Sequence, residues 1–306
     1  MTLNDHATWV PEEWGGPVLT QVLALSAVEA LGRHEPMGTN TKHVPRDGGI
    51  GLDILDKGDV YTEDGTEDDE VLLTSRKFGR ALSLADEDVK DAESLVDVLN
   101  AKKVGWAGSF AKGFDNACLA TVGAQGMAAN RPFTSVYQTV RTADADLGYT
   151  ANANYVSTAA VTYANLSEAL GVYEDGSWFS DADTVVIASP AFKRIFRDIL
   201  DENDHPIFLQ GTAGTPDTLF GYTCFWSQGA RTSTAATNAP TGNPLLIVGN
   251  QRLLIVGDRS GPESFVAGAD SGVGFATDEA KLKCRARRGF AVGHPTGFAV
   301  LEQTAS

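Results

Sequence analysis

The feature that most constrains this chain lies near its start. Val18, Val22, Leu25, Val28 and Leu31 recur at intervals of three and four residues, and Gly32 ends the run. Gln21, Ser26 and Glu29 lie off that stripe, so the spacing predicts one amphipathic helix and not a membrane anchor. The segment that follows, HEPMGTNTKHVPRDGGIG, has neither a helical nor a strand period, and prolines and glycines punctuate it repeatedly. An extended arm is expected. A helix followed by such an arm cannot bury itself and needs another surface, such as a neighbouring subunit.

Length and charge narrow the rest. The 306 residues, 42% of them hydrophobic, suffice to build a large core. A net charge of −16 excludes a general nucleic-acid binder held by a basic surface. No apolar run approaches the length of a membrane span. Cys118, Cys224 and Cys284 are odd in number and far apart, which argues against a disulfide framework or a cysteine zinc cluster and for a reducing compartment. The opening MTLNDHATWVPEEW lacks the charged and apolar regions of a secretory signal, so a cytoplasmic origin is expected.

Residues 50 to 84 read as a two-stranded excursion, with Ile54 and Val60-Tyr61 on one side and Val71–Leu73 and Ala81–Leu84 on the other. Between them six of the eight residues from Glu63 to Glu70 are carboxylates, and Asp64-Gly65 is a good turn dipeptide. The ligand order of a calcium loop is not met, so a solvated or partner-facing acidic loop is expected. From Asp91 to about Leu119 a long helix is predicted, with Leu95, Val98, Leu99, Trp106, Phe110, Phe114 and Cys118 on one face. Gly105, Gly108 and Gly113 weaken it, and close packing is expected to compensate. A Gly- and Ala-rich connection then runs to about residue 155.

Residues 156 to 274 read as mixed α/β. Asn165 with Glu168 resembles a capping box, Thr184–Ala188 a buried strand, and Ser189-Pro190 the start of a helix carrying Phe192, Ile195, Phe196 and Ile199 inward. Leu219–Tyr222 turns into a strand through Trp226, and the two copies of LLIVG around Asn250 suggest a β-hairpin. In the last thirty residues Lys281, Lys283, Arg285 and Arg287 alternate with Leu282, Cys284 and Ala286, which places the cations on one strand face.

Signatures of chemistry are few. The chain has no phosphate loop, HExxH or GxSxG, and Gly272-Val273-Gly274 lacks what a dinucleotide site requires. The five histidines share no ligand spacing. Asp201, Asp204 and His205 read as a solvated turn, and Gly257–Gly261 as a plain turn with an Asp–Arg pair. No cofactor, metal or catalytic residue is expected.

The order of parts is more informative. PMGTNTKHVP, VYTEDGTEDDEVLLTSRKFGRALSLADED, DADTVVIASPAFKRIFRDILDENDHPIF, PDTLFGYTCFWSQ with LLIVGNQRLLIVGDRSG, and FATDEAKLKCRARRGFAVGHPTGFAVLE together resemble, in sequence order, the HK97-like major capsid proteins of tailed bacteriophages. The resemblance implies an α+β fold: an N-terminal arm at 1–45, an extended β loop at 46–85 and a peripheral domain with a long spine helix at 86–155. An axial α/β domain at 156–274 and final peripheral strands at 275–306 follow. It implies a non-enzymatic subunit that self-assembles into hexamers and pentamers, forming an icosahedral shell around double-stranded DNA in the virion. Assembly in the bacterial cytoplasm is implied, with scaffold, portal and decoration proteins as partners and no membrane. Some relatives begin with a long scaffolding domain; only about seventeen residues precede the arm helix here, so either a separate scaffold or an already processed product is expected, the initial Met favouring the former. Some relatives also carry a Lys–Asn isopeptide link. Lys57 fits the donor, but no Asn follows Asn250, so non-covalent contacts are expected instead.

The candidate contacts between copies are therefore electrostatic. Either Glu63, Asp64, Glu67, Asp68, Asp69 and Glu70 meet Lys281, Lys283, Arg285, Arg287 and Arg288 of an adjacent subunit, opposite potentials fixing register more than affinity, or both faces are simply solvated. Two alternatives remain: an encapsulin-type compartment with the same fold, and a cytoplasmic α/β enzyme with a concave pocket.

Overall fold

The structure is a computed structural model that describes residues 26–47, 54–57, 60, 68–85, 98–200, 205–211, 215–267 and 278–304. The chain divides into two compact units. Among the described residues one comprises 79–85, 98–108, 263–267 and 278–285, and the other takes the remainder.

The described part of the first helix is α1, Ala27–Leu31, which Gly32 ends as expected. The arm after it is extended but not unpartnered. It forms β1 (Arg33–Pro36) and β2 (Thr41–Asp47), both in a sheet of the same chain. The excursion also differs from expectation. Its return is one strand, β3 (Asp68–Ala85), and β3 pairs antiparallel with β2 from Asp47↔Asp68 to Thr41↔Thr74. Ile54 and Val60 are exposed and belong to no strand, while Tyr61 lies outside the described residues. In the β2–β3 pairing Val44 lies opposite Val71, and both are buried.

The long helix is α2, Val98–Leu119, with Phe110, Phe114 and Cys118 buried. Phe114 meets Phe78 at 5.9 Å and Phe133 at 6.1 Å between ring centroids, and Phe133 meets Phe290 at 6.0 Å, mostly edge to face. The packing expected to compensate the glycines comes from Phe110 and Phe114 and not from contacts at the glycines themselves. A Cβ at Gly105 or Gly108 would meet nothing within 4 Å among the described residues, and one at Gly113 would make only ordinary contact. The Gly- and Ala-rich connection holds a further helix, α3 (Val136–Arg141), capped by the Ser135 hydroxyl.

Next come β4 (Tyr155–Thr158), α4 (Tyr163–Glu174), β5 (Thr184–Ala188), α5 (Phe192–Asp198), β6 (Phe208–Leu209), β7 (Thr218–Leu219), β8 (Tyr222–Trp226) and β9 (Leu245–Asn250). The cap of α4 is Thr162, reciprocated by Asn165, because Thr162 is extended while Asn165 already lies in the first turn. Ser189 does not cap α5 with its side chain: the Phe192 N–H donates to the Ser189 carbonyl, and the hydroxyl is buried without a partner. Phe192 and Phe196 are buried as predicted. Phe220 and Gly221 turn β7 into β8 with φ of 50° and 90°, a left-handed pair that favours glycine at the second place.

The LLIVG copies are not a hairpin. After β9 a 3₁₀ turn at Gln251–Leu253 passes the chain to β10 (Leu254–Ala267), which lies in the other sheet. Gly257–Gly261 is thus part of a strand and not a turn. The chain closes with β11 (Glu279–Val292) and β12 (Phe298–Gln303). The seven-stranded sheet has the order β4-β12-β9-β5-β8-β7-β6, and the five-stranded sheet β1-β10-β11-β3-β2. Of the last strands, β11 joins the five-stranded sheet, while β12 runs antiparallel to β9 and parallel to β4. The small core of the five-stranded sheet is Met37, Val44, Val71, Leu73 and Ile255. Gly257 makes room for it, since a Cβ there would stand 2.4 Å from the Met37 sulfur.

Candidate assembly surfaces

Alternation along β11 sorts its side chains as the sequence predicts. Ala280, Leu282, Cys284 and Ala286 are buried, while Lys283 and Arg287 are exposed and Lys281 and Arg285 partly so. Arg285 Nη2 lies 3.0 Å from Glu263 Oε2. Its guanidinium also stands 4.7 Å from the Phe265 ring centroid, and Lys283 Nζ stands 5.5 Å from it. Phe265 is 44% exposed, so this face presents an aromatic ring under two cations. Among the described residues Lys281, Lys283 and Arg287 have no carboxylate partner. Arg288 departs from the alternation and is satisfied within the chain: its Nε lies 2.7 Å from Glu29 and its Nη1 2.9 Å from Asp258.

The acidic candidates divide similarly. Asp68, Asp69 and Glu70, expected in the loop, instead open β3. Asp69 pairs with Arg46, and Glu70 lies 2.7 Å from His43, both partners being on β2. The Arg46 guanidinium, helped by the Glu70 backbone N–H, holds the Asp69 carboxyl below the usual carboxylate range. Glu63, Asp64 and Glu67 lie outside the described residues. No described acidic candidate meets a basic candidate within the chain.

Two buried carboxylates stand apart from these faces and tie distant segments together. Asp115 on α2 accepts hydrogen bonds from the Ser26 and Ser227 hydroxyls at 2.5 and 2.6 Å and from the Ala27 and Val28 N–H groups at 3.0 and 3.1 Å. Burial raises its pKa, and those four donors oppose the rise. Glu302 on β12 accepts from the Tyr137 and Tyr155 hydroxyls at 2.7 and 2.5 Å and from Asn243 at 2.5 Å. Burial pushes the Glu302 pKa up, but the bonds from Tyr155, Asn243 and Tyr137 outweigh it and leave the pKa lowered.

Little here suits catalysis. The three cysteines are buried, and burial lifts the Cys118 thiol well above its ordinary value and Cys224 to about 12, so both stay protonated. His294 is buried and stacked on Trp178 at 5.1 Å, and burial pushes it down to about 4. Asp201 and Asp204 lie outside the described residues, and so does Gly272–Gly274. Among the described residues no group of His, Cys, Asp and Glu is placed to hold a metal, and no helix is long and apolar enough to cross a membrane.

Sequence reasoning missed Glu263 and Phe265, whose two-residue spacing in GPESFVA was the available signal. It also missed Glu29, His34, Arg46 and Asp258 as partners. Ion pairs between distant strands leave no local mark.

The fold recurs in solved structures at 14% identity. The chain is similar to a structure from Microbacterium phage Oxtober96 (TM-score 0.68, covering 99% of this chain and 98% of that one). It is also similar to the capsid of the native GTA particle (TM-score 0.72, 99% and 98%) and to a structure from Mycobacterium phage Ogopogo (TM-score 0.71, 99% and 99%). A sequence search of curated proteins finds no match. These likenesses define the class of the fold: mixed α+β and HK97-like over its full length. The Phage capsid family matches residues 7–303, and the chain belongs to that family. It is a major capsid protein that self-assembles into capsomers of an icosahedral shell and resides in the virion capsid; it is not an enzyme.

Proposed function

We propose that copies of this subunit are joined, as hexamers and pentamers, by the acidic segment Glu63–Glu70 of one copy lying on the cationic face of β11 in the next. The observation that carries this reading is the outward row of β11: Lys281, Lys283 and Arg287 have no carboxylate partner among the described residues. Asp69 and Glu70 are taken by Arg46 and His43, so Glu63, Asp64, Glu67 and Asp68 are the carboxylates that make the contact. Arg285 and Arg288, paired within the chain, set the strand's position. Each such contact is weak, and repetition over a closed shell multiplies it. The shell encloses double-stranded DNA without sequence-specific contacts, which suits a net charge of −16. A separate scaffold, a portal and a decoration protein complete the particle, and non-covalent contacts replace a Lys57 cross-link.

The test is charge reversal at Lys283 and Arg287, read by light scattering and negative-stain microscopy with the candidate scaffold present. The double variant Lys283→Glu/Arg287→Glu stays folded and forms no closed shells, and adding Glu67→Lys/Asp68→Lys restores them. Normal shells from the first variant would remove the reading.

A further inference from the structure

The corner between α1 and β1 is closed by a ring of polar contacts that draws on four elements. Glu29 of α1 holds Arg288 of β11 at 2.7 Å, and Arg288 holds Asp258 of β10 at 2.9 Å. Asp258 Oδ2 lies 2.8 Å from His34 Nδ1 on β1, and His34 Nε2 lies 2.8 Å from the Glu29 carbonyl oxygen, which completes the ring. Both nitrogens of one imidazole therefore face oxygens that can only accept. Only the imidazolium carries N–H at both positions; the neutral ring must set a lone pair against one of those oxygens.

Besides His34, the strand is held by its pairing with β10, by the Glu35–Lys42 pair at 2.7 Å and by buried Met37, which follows it. β1 is four residues long and lies at the edge of the five-stranded sheet, paired in parallel with β10 from Arg33↔Ile255 to Pro36↔Asp258. None of its residues is fully buried. We propose that His34 is a proton-operated latch on the arm: charged, it locks β1 onto β10 at the corner with α1, and neutral, it lets β1 leave that edge.

The charged groups that face His34 among the described residues are Asp258 on β10, Arg288 on β11 and, near the bonded carbonyl, Glu29 on α1; Arg33 and Glu35 flank it on its own strand. The Glu29 carbonyl bond is the largest influence, and with Asp258 it outweighs burial and Arg288, so the His34 pKa is raised. The sign follows from that direction. The latch is complete below the free histidine value of ~6.5 and is lost as pH rises through the raised value.

The test is hydrogen exchange of the whole subunit, following the amides of residues 33–37 relative to their intrinsic rates from about pH 5.5 to about pH 9. Their protection falls as pH rises through the raised His34 value in the natural chain. It is low and flat with pH in His34→Gln, and its midpoint moves to lower pH in Asp258→Asn. Protection of the β5 amides stays unchanged in all three and shows that the fold is intact. If His34→Gln loses β5 protection, the NMR titration of His34 in the natural chain decides. A flat profile in the natural chain, a pH dependence that survives His34→Gln, or a titration midpoint at or below that of free histidine would each overturn the latch.

Discussion

In the seven-stranded sheet β5 and β9 are buried along every residue, whereas in the five-stranded sheet β11 buries alternate residues and sets cations between them. The first sheet packs against α4 and α5 through Leu166, Tyr173, Phe192, Phe196 and Val248, part of a larger set of buried apolar side chains. The second has five buried apolar residues in one cluster, sets Phe78 and Phe290 against the rings of Phe114 and Phe133, and adds ion pairs such as Arg46–Asp69 and Arg288–Glu29. One sheet is closed by its helices, and the other keeps the cations of β11 on an exposed face.

The largest expected effect tests the first half of that contrast. Phe196 is fully buried and meets Phe192, Phe208 and Trp226 at 5.5, 5.7 and 6.1 Å between ring centroids. Phe196→Ala should lower subunit stability by about 3–5 kcal/mol in urea unfolding. A cost under about 1 kcal/mol would mean that this sheet is not the stabilising one.

Glu302 comes next, because β12 depends on a charged acceptor. Its pKa is lowered, so its contribution is complete above the ordinary carboxylate range and lost as pH falls through the lowered value. Glu302→Gln should cost about 1–3 kcal/mol near neutrality. The gap between variant and natural chain should close as the urea midpoint is followed into acid. A gap independent of pH would show that Glu302 acts by packing and not by charge. A smaller effect is expected on the other sheet: Lys283→Glu/Arg287→Glu should move subunit stability by no more than about 1 kcal/mol while abolishing shells. A large loss of subunit stability would make the cationic face part of the subunit's own fold and blunt the contrast.

The two sheets were not equally legible in the sequence. Continuous apolar runs such as TVVIA and strict alternation such as KLKCRAR announce a buried strand and a one-sided strand directly, and both expectations hold. What stayed hidden is pairing. LLIVG twice over looks like a hairpin because strand propensity is local, but whether neighbouring strands share a sheet is decided by partners dozens of residues away. The arm showed no period because β1 is an edge strand with little burial, so selection for apolar alternation is absent there. The cationic half of the candidate surface could be read from spacing. Its intrachain competitors, Glu263 for Arg285 and Glu29 for Arg288, could not, because those pairs join distant segments.

The smallest effect bears on the long helix. Gly105 and Gly108 lie in its interior, where each glycine should cost up to ~1 kcal/mol relative to alanine, and no described residue of the chain approaches where a Cβ would stand. Among the described residues of one subunit nothing requires them. Gly105→Ala and Gly108→Ala should each raise the unfolding midpoint slightly, the gain coming from reduced freedom of the unfolded chain and not from new contacts. The informative comparison is with assembly. If both variants form shells as well as the natural chain, the glycines are a tolerated weakness of a helix stabilised by Phe110 and Phe114. If a variant is more stable as a subunit yet fails to close shells, a neighbouring copy approaches that helix within a methyl's reach, and the subunit gives up stability there, as on the β11 face, for the sake of contacts between copies.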